Sequence, residues 1–186
     1  DNAILMTNLS SDLFQRRIES YISQVKYDYA GKYFANLSFR RDGSSRFANN
    51  HWGNFWSTGA SWLLNEEDFL ASSQFIDLLK FKASYGIQGN ESIAQSYPSY
   101  DLLDVQNLNG SIAIAFAEKG NSNLTWESNK TFNTGIEFDL WKKFSGEIEY
   151  FIRDTYDMLY QRDMPLSLGY SKIWVNDLDM RIQGIE

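Results

Sequence analysis

The 186-residue chain contains no cysteine. Disulfide staples, thiolate zinc sites, iron–sulfur clusters and a cysteine nucleophile are therefore excluded. His51 is its single histidine, which excludes a multi-histidine metal site and a histidine relay. Positive charge is in deficit, with 17 Lys plus Arg against 24 Asp plus Glu, and a net charge of -7 leaves no chain-wide footprint for nucleic acid. Two prolines and twelve glycines are too few for low-complexity disorder. No apolar run reaches 18 residues, so no segment reads as a transmembrane helix. The opening Asp1-Asn2-Ala3-Ile4 lacks the basic and apolar regions of a signal peptide. No P-loop, G-x-S-x-G or dinucleotide fingerprint is present.

What the chain has in excess is aromatic residues, 16% from 13 Phe, 11 Tyr and 6 Trp. Yet its mean hydropathy is only -0.43. Many large rings in a polar chain point to β-structure with two contrasting faces. A membrane barrel has that composition, because alternation hides its lipid face from averaged hydropathy.

The dominant period is two, and it predicts six strands with one apolar face each. Tyr21, Ser23, Val25, Tyr27 and Tyr29 share a face against Ile22, Gln24, Lys26 and Asp28. A turn over 30–32 leads to Tyr33, Ala35, Leu37 and Phe39. A polar loop over 41–54 precedes Trp56, Thr58, Ala60, Trp62 and Leu64. Asn65 before Glu66-Glu67-Asp68 predicts an N-capped short helix within 65–77. The fourth strand offers Leu79, Phe81, Ala83, Tyr85 and Ile87, and a long loop over 89–129 follows, with a short hairpin strand expected at Ile112 to Ala117. Phe132, Thr134, Ile136, Phe138 and Leu140 form the fifth apolar face, and Ile148, Tyr150 and Ile152 the sixth. A loop is expected to run to about Asp179, with a seventh strand from Met180 into the final Gly184-Ile185-Glu186.

None of the 27 apolar-face positions in these six strands is charged, where random placement at 22% charge would give about six. The opposite face carries Lys26, Asp28, Arg40, Lys80, Lys82, Glu137, Asp139, Glu147, Glu149 and Arg153. The connections alternate between short and long, so a meander would have tight turns at one end and long loops at the other, as in outer-membrane barrels. Tyr27, Tyr29, Tyr33, Trp62 and Trp141 fall near the short-turn end, and Trp56 and Phe132 near the long-loop end. Those are places for two aromatic girdles. The pattern alone leaves open a soluble, carbohydrate-binding β-sandwich that hides the same face in a core.

Several side chains invite a chemical reading. Glu147 and Glu149 sit about 6–7 Å apart on one strand face, as a glycosidase pair or as polar wall residues. Asn176, Asp177 and Asp179 offer oxygen ligands without a full calcium-loop spacing. Asp42-Gly43-Ser44-Ser45 reads as turn chemistry, with Arg46 as an anchor or a ligand contact. Trp52 and Trp126 lie at loop bases, where a ring can stack on a sugar or sit at an interface. Six N-x-S/T sequons, at Asn8, Asn36, Asn90, Asn109, Asn123 and Asn129, carry no function in this Asn- and Ser-rich chain.

Longer motifs sharpen this picture. Arg41-Asp42-Gly43-Ser44-Ser45-Arg46-Phe47 is followed by Trp52-Gly53-Asn54-Phe55-Trp56-Ser57 and completed by Gly59-Ala60-Ser61-Trp62. Leu79-Lys80-Phe81-Lys82-Ala83-Ser84-Tyr85-Gly86, Gln88-Gly89-Asn90, Leu124-Thr125-Trp126-Glu127 and Asn133-Thr134-Gly135-Ile136-Glu137-Phe138 come in order behind it. From about Tyr27 onward the chain resembles the SusC/RagA-type TonB-dependent outer-membrane transporters of the Bacteroidetes. The resemblance implies an all-β fold: an antiparallel transmembrane β-barrel segment, about seven strands of a barrel of about 22, with short periplasmic turns and long extracellular loops. It implies that residues 1–186 are part of one barrel domain, with the plug and remaining strands outside them. It implies an importer of oligosaccharides or peptides that works with a SusD-like surface lipoprotein and with TonB. On this reading Arg46, Trp52, Asn90 and Trp126 are the candidate cargo contacts, and no catalytic residue, metal or cofactor is expected.

Overall fold

The computed structural model of the chain describes residues 13, 15–70, 72–108 and 110–186, so Asn8 and Asn109 of the sequons lie outside the described residues. Among the described residues nine strands form in chain order: β1 (Ile18–Tyr29), β2 (Tyr33–Ser44), β3 (Trp52–Leu63), β4 (Ile76–Asn90), β5 (Leu102–Leu108), β6 (Ser111–Glu118), β7 (Glu127–Leu140), β8 (Phe144–Asp163) and β9 (Lys172–Ile185). Seven make one antiparallel sheet in the order β1-β2-β3-β4-β7-β8-β9, while β5 and β6 pair only with each other. The sheet is a meander interrupted once, where the hairpin β5–β6 rises from the connection between β4 and β7.

The register joins the predicted apolar faces into one surface. Val25 pairs with Leu37, Leu37 with Thr58, Phe81 with Ile136, and Ile136 with Ile148. Because side chains alternate with period two, these pairs place the whole apolar set on one side of the sheet. Val25, Leu37, Ile136 and Ile148 are 61%, 52%, 45% and 59% exposed. A sandwich would have buried them under a second sheet, so the soluble β-sandwich reading is overturned.

On four of the strands the first charge on that face, counted from the short-turn end, comes after 9 to 11 residues. It is Glu19 across residues 19–29, Arg41 across 33–41, Lys130 across 130–140 and Asp154 across 144–154. Those spans match the roughly 9–11 residues a tilted strand needs to cross a bilayer. Rings mark both limits. Tyr33 stacks on Trp62 at 5.9 Å at the short-turn end, and Trp56 meets Tyr85 at 5.5 Å near the other.

Beyond the apolar span the strands continue, which corrects the expected loops. The 41–54 loop shrinks to residues 45–51, and the loop expected to reach Asp179 is mostly β8 and β9. At its 20 residues β8 extends about 66 Å at 3.3 Å per residue. Asp157, at φ 54°, sits at a bulge between Thr155 and Met158. The hairpin also needs two strands, Leu102–Leu108 and Ser111–Glu118, where one was expected.

The short helix expected within 65–77 is only a single 3₁₀ turn, Leu64–Glu66. Asn65 does not cap it; its Oδ1 accepts the Leu79 N–H at 3.2 Å. The acids are used differently too. Glu67 accepts Tyr33 Oη at 2.5 Å, Trp62 Nε1 at 2.9 Å and Lys32 Nζ at 3.3 Å. These donors, Tyr33 first, hold its carboxyl below the usual carboxylate range. A depressed carboxylate contributes at neutral pH, and the contribution fades as pH falls through that lowered value.

Candidate functional site

The polar face has two distinct regions, an open wall along the span and a closed cluster at the long-loop end. Along the spanning part, the inner face is lined by small and polar side chains around a shallow hollow of 630 Å³, with Gly59, Ser61, Ser84 and Gly135 at its floor. Lys82 stands between Glu147 and Glu149, paired with both and 3.1 Å from the second. The two glutamates therefore form an ion-pair ladder with the cation, and Lys80 repeats the motif on Glu137 at 3.6 Å. Such half-exposed pairs carry little stability and are screened by salt. Lys82→Gln is expected to lower the urea midpoint slightly, with the difference vanishing in 1 M salt. A shift that persisted in salt would show a buried, structural role.

At the long-loop end the inner face closes over a small core. Phe47, Phe55, Ile93, Leu124 and Trp126 are buried together, with Ile87, Leu159 and Trp174 packed on them. Gly89 leaves room for Phe55, since a Cβ there would come within 2.0 Å of the ring. This cluster anchors both ends of the 91–126 connection onto the barrel wall.

A polar network surrounds the core. Glu91 pairs with Arg16, accepts from Ser44, and through its carbonyl accepts Arg46 Nη1 at 2.8 Å. Asp42 is 2% exposed and pairs with Arg40 Nε at 2.6 Å. Glu127 receives Asn90 Nδ2 at 3.0 Å, Asn129 Nδ2 at 3.3 Å and the Leu159 N–H at 3.1 Å. One carboxylate thus ties β4, β7 and β8 together beside the β8 bulge. Burying so many polar groups is tolerated because they satisfy one another.

Between core and network lies a pocket of 290 Å³ lined by Arg16, Arg40, Asp42, Arg46, Asn90 and Trp126, among others. It gathers three of the four candidate cargo contacts. Among the described residues, Asp42 Oδ1 and Arg46 Nε are shielded and lack a partner, leaving one acceptor and one donor in this region. Trp126 lines the pocket but is 6% exposed, with Phe47 and Phe55 rings at 5.4 and 5.3 Å, and its Nε1 donates to the His51 carbonyl at 3.0 Å. That packing leaves no open ring face for stacking. Trp52 lies apart: it pairs with Gly43 on the outward face, near Tyr21 and beneath Arg41.

The proposed cation ligands are committed elsewhere. Asn176 Oδ1 accepts the Thr125 N–H at 2.9 Å, its Nδ2 donates to the Asp157 carbonyl at 2.7 Å, and Asp177 pairs with Arg162. Sequence reasoning missed Glu91 and Glu127, the hubs of the network. The available signal was their place at the two ends of the long connection, where a charged residue beside an apolar anchor must be paired.

Known proteins place this architecture. A family model described as "TonB dependent receptor-like, beta-barrel" matches residues 4–186. TonB-dependent receptor P39 of Formosa agariphila is 36% identical over 174 residues, covering 92% of this chain and 17% of that protein. TonB-dependent receptor SusC of Bacteroides thetaiotaomicron is 29% identical over 161 residues, covering 82% of this chain and 16% of that protein. The solved RagAB peptide transporter superposes with a TM-score of 0.84 at 28% identity, over 91% of this chain and 19% of the matched chain. The chain thus spans less than a fifth of the length of these relatives. With its two-faced meander, it belongs to the TonB-dependent receptor β-barrel family.

Proposed function

We propose that this segment forms barrel wall in an outer-membrane importer of bulky nutrients, oligosaccharides or peptides, that works with a SusD-like lipoprotein and with TonB acting on a plug outside residues 1–186. The observation that carries the reading is the register: one continuous charge-free face the depth of a bilayer, backed by a polar face with a mouth built at one end. Relatives supply the rest of the support, since one is named SusC and a matched structure is titled a peptide transporter. The apolar face meets lipid, the polar face lines the lumen and packs on the plug, and the wall is a fixed frame. The long-loop end faces outward, toward cargo and the lid. There Arg46 and Asn90 contact cargo from the mouth pocket, while Trp52 and Trp126 serve the interface and the core.

The absence of cysteine from these 186 residues gives a direct test of orientation. Ser111→Cys at the hairpin tip is expected to react with a membrane-impermeant maleimide on intact cells. Lys143→Cys in the β7–β8 turn is expected to react only after the cells are broken. The reverse pattern would invert the proposed orientation. Uptake of cargo should in addition fail when the adjacent lipoprotein is removed.

A further inference from the structure

The outward face changes character abruptly at the long-loop end. Below the Asp157 bulge and among the described residues, its charges are Glu19, Arg41, Lys130, Asp154 and Arg181. Three of these five are already occupied. Arg181 binds Asp154 through two nitrogens at 2.5 and 2.8 Å, and Glu19 accepts Tyr21 Oη at 2.5 Å. Arg41 and Lys130 have no carboxylate within ion-pair distance among the described residues; each lies instead over an aromatic ring, Arg41 over Trp52 at 4.9 Å and Lys130 over Tyr156 at 4.2 Å.

We infer that Arg41 and Lys130 grip net-anionic phosphate headgroups, those of lipid A, in the leaflet at the long-loop end. This rests on the membrane reading above and adds a ligand to it. Both cations stand one strand step beyond the apolar span, which is headgroup depth. Their rings hold the side chains near the wall while the charged ends remain available, the arrangement expected at a membrane interface. A guanidinium or ammonium there is complementary to a phosphate; the carboxylate nearest Lys130 in register, Asp154 across the β7–β8 ladder, is itself held by Arg181. Register puts β3 and β4 between them and aligns Lys130 with Phe39, two residues along β2 from Arg41, so the backbones carrying the two cations are about 16 Å apart at roughly 4.8 Å per strand and 3.3 Å per residue. That spacing suits two headgroup contacts acting independently.

The test uses the full-length transporter carrying this segment, purified in detergent and titrated with lipid A under native mass spectrometry, with phosphatidylcholine as the neutral probe. Wild type is expected to retain lipid A in preference to phosphatidylcholine. Arg41→Gln and Lys130→Gln are each expected to weaken that retention about fivefold, and the double variant by the product. Lys26→Gln, which removes a cation from the inner face, is expected to change nothing. Heat-modifiable gel migration checks that each variant is folded. A folded double variant that binds lipid A as wild type does overturns the proposal, as does an equal loss in Lys26→Gln. A wild-type protein that stays in water without detergent would instead overturn the membrane reading itself.

Discussion

Ile136→Arg is expected to destabilise the folded barrel by about 2–4 kcal/mol, the cost of a cation near the bilayer midplane on a lipid-facing strand position. Ile136 lies between Phe81 and Ile148 in the middle of the charge-free span, too far from either headgroup region for its guanidinium to reach water easily. Asn133→Arg, three residues away on the lumen face, is expected to change stability by no more than about 0.5 kcal/mol, because that side is wet. Urea titration of the transporter in lipid vesicles, read by heat-modifiable migration, measures both. Equal costs for the two variants would mean that the faces are not lipid and lumen.

Phe47→Ala is expected to remove about 3–5 kcal/mol from the mouth cluster, since the ring is fully buried and packed on Trp126. The loss should be local. Hydrogen exchange is expected to rise across residues 91–126 while the spanning parts of β2, β3 and β7 stay protected, because those strands are held by their own ladders. Trp126→Phe provides the sharper comparison. It keeps a buried ring and loses the bond to the His51 carbonyl, at about 1 kcal/mol. Modestly faster exchange with unchanged cargo affinity would mark Trp126 as packing. Weaker cargo binding with unchanged exchange would make it a ligand platform after all.

The two kinds of residue were not equally legible. Inside the bilayer span one face must be apolar and the other need not be, so period two survives and the register of Val25, Leu37, Ile136 and Ile148 can be read directly. Past Arg41 and Asp154 both faces are wet or pack on loops, the alternation disappears, and strand reads as loop. That is why residues 154–163 and 172–179 were missed. At 65–77 the acids after Asn65 imitate a helix start, but Glu67 is captured by Tyr33, Trp62 and Lys32 from outside the segment. Tertiary donors won over a local cap. The surroundings of the candidate contacts were only partly legible for a similar reason. Arg46, Asn90 and Trp126 do converge on one pocket, but whether a loop-base tryptophan presents its face or buries it depends on Phe47 and Phe55, far away in the chain.

The way the hairpin is rooted has a consequence for how this mouth can vary in size. Its base is closed on itself: Lys119 Nζ and the Gly120 N–H both bind Asp101, at 2.8 and 2.9 Å, and the Asn121 N–H donates to the Pro98 carbonyl at 2.9 Å. Below that closure, Glu91 and Glu127 fasten the connection to the wall. Chain added between residues 101 and 119 would therefore enter a loop whose ends are already held together. Each doubling of such a loop costs only about 0.6 kcal/mol in closure entropy. The barrel can thus change the reach of its outermost ribbon at little thermodynamic expense, whereas a single inserted residue in β4 or β7 would shift a register and turn an entire strand inside out.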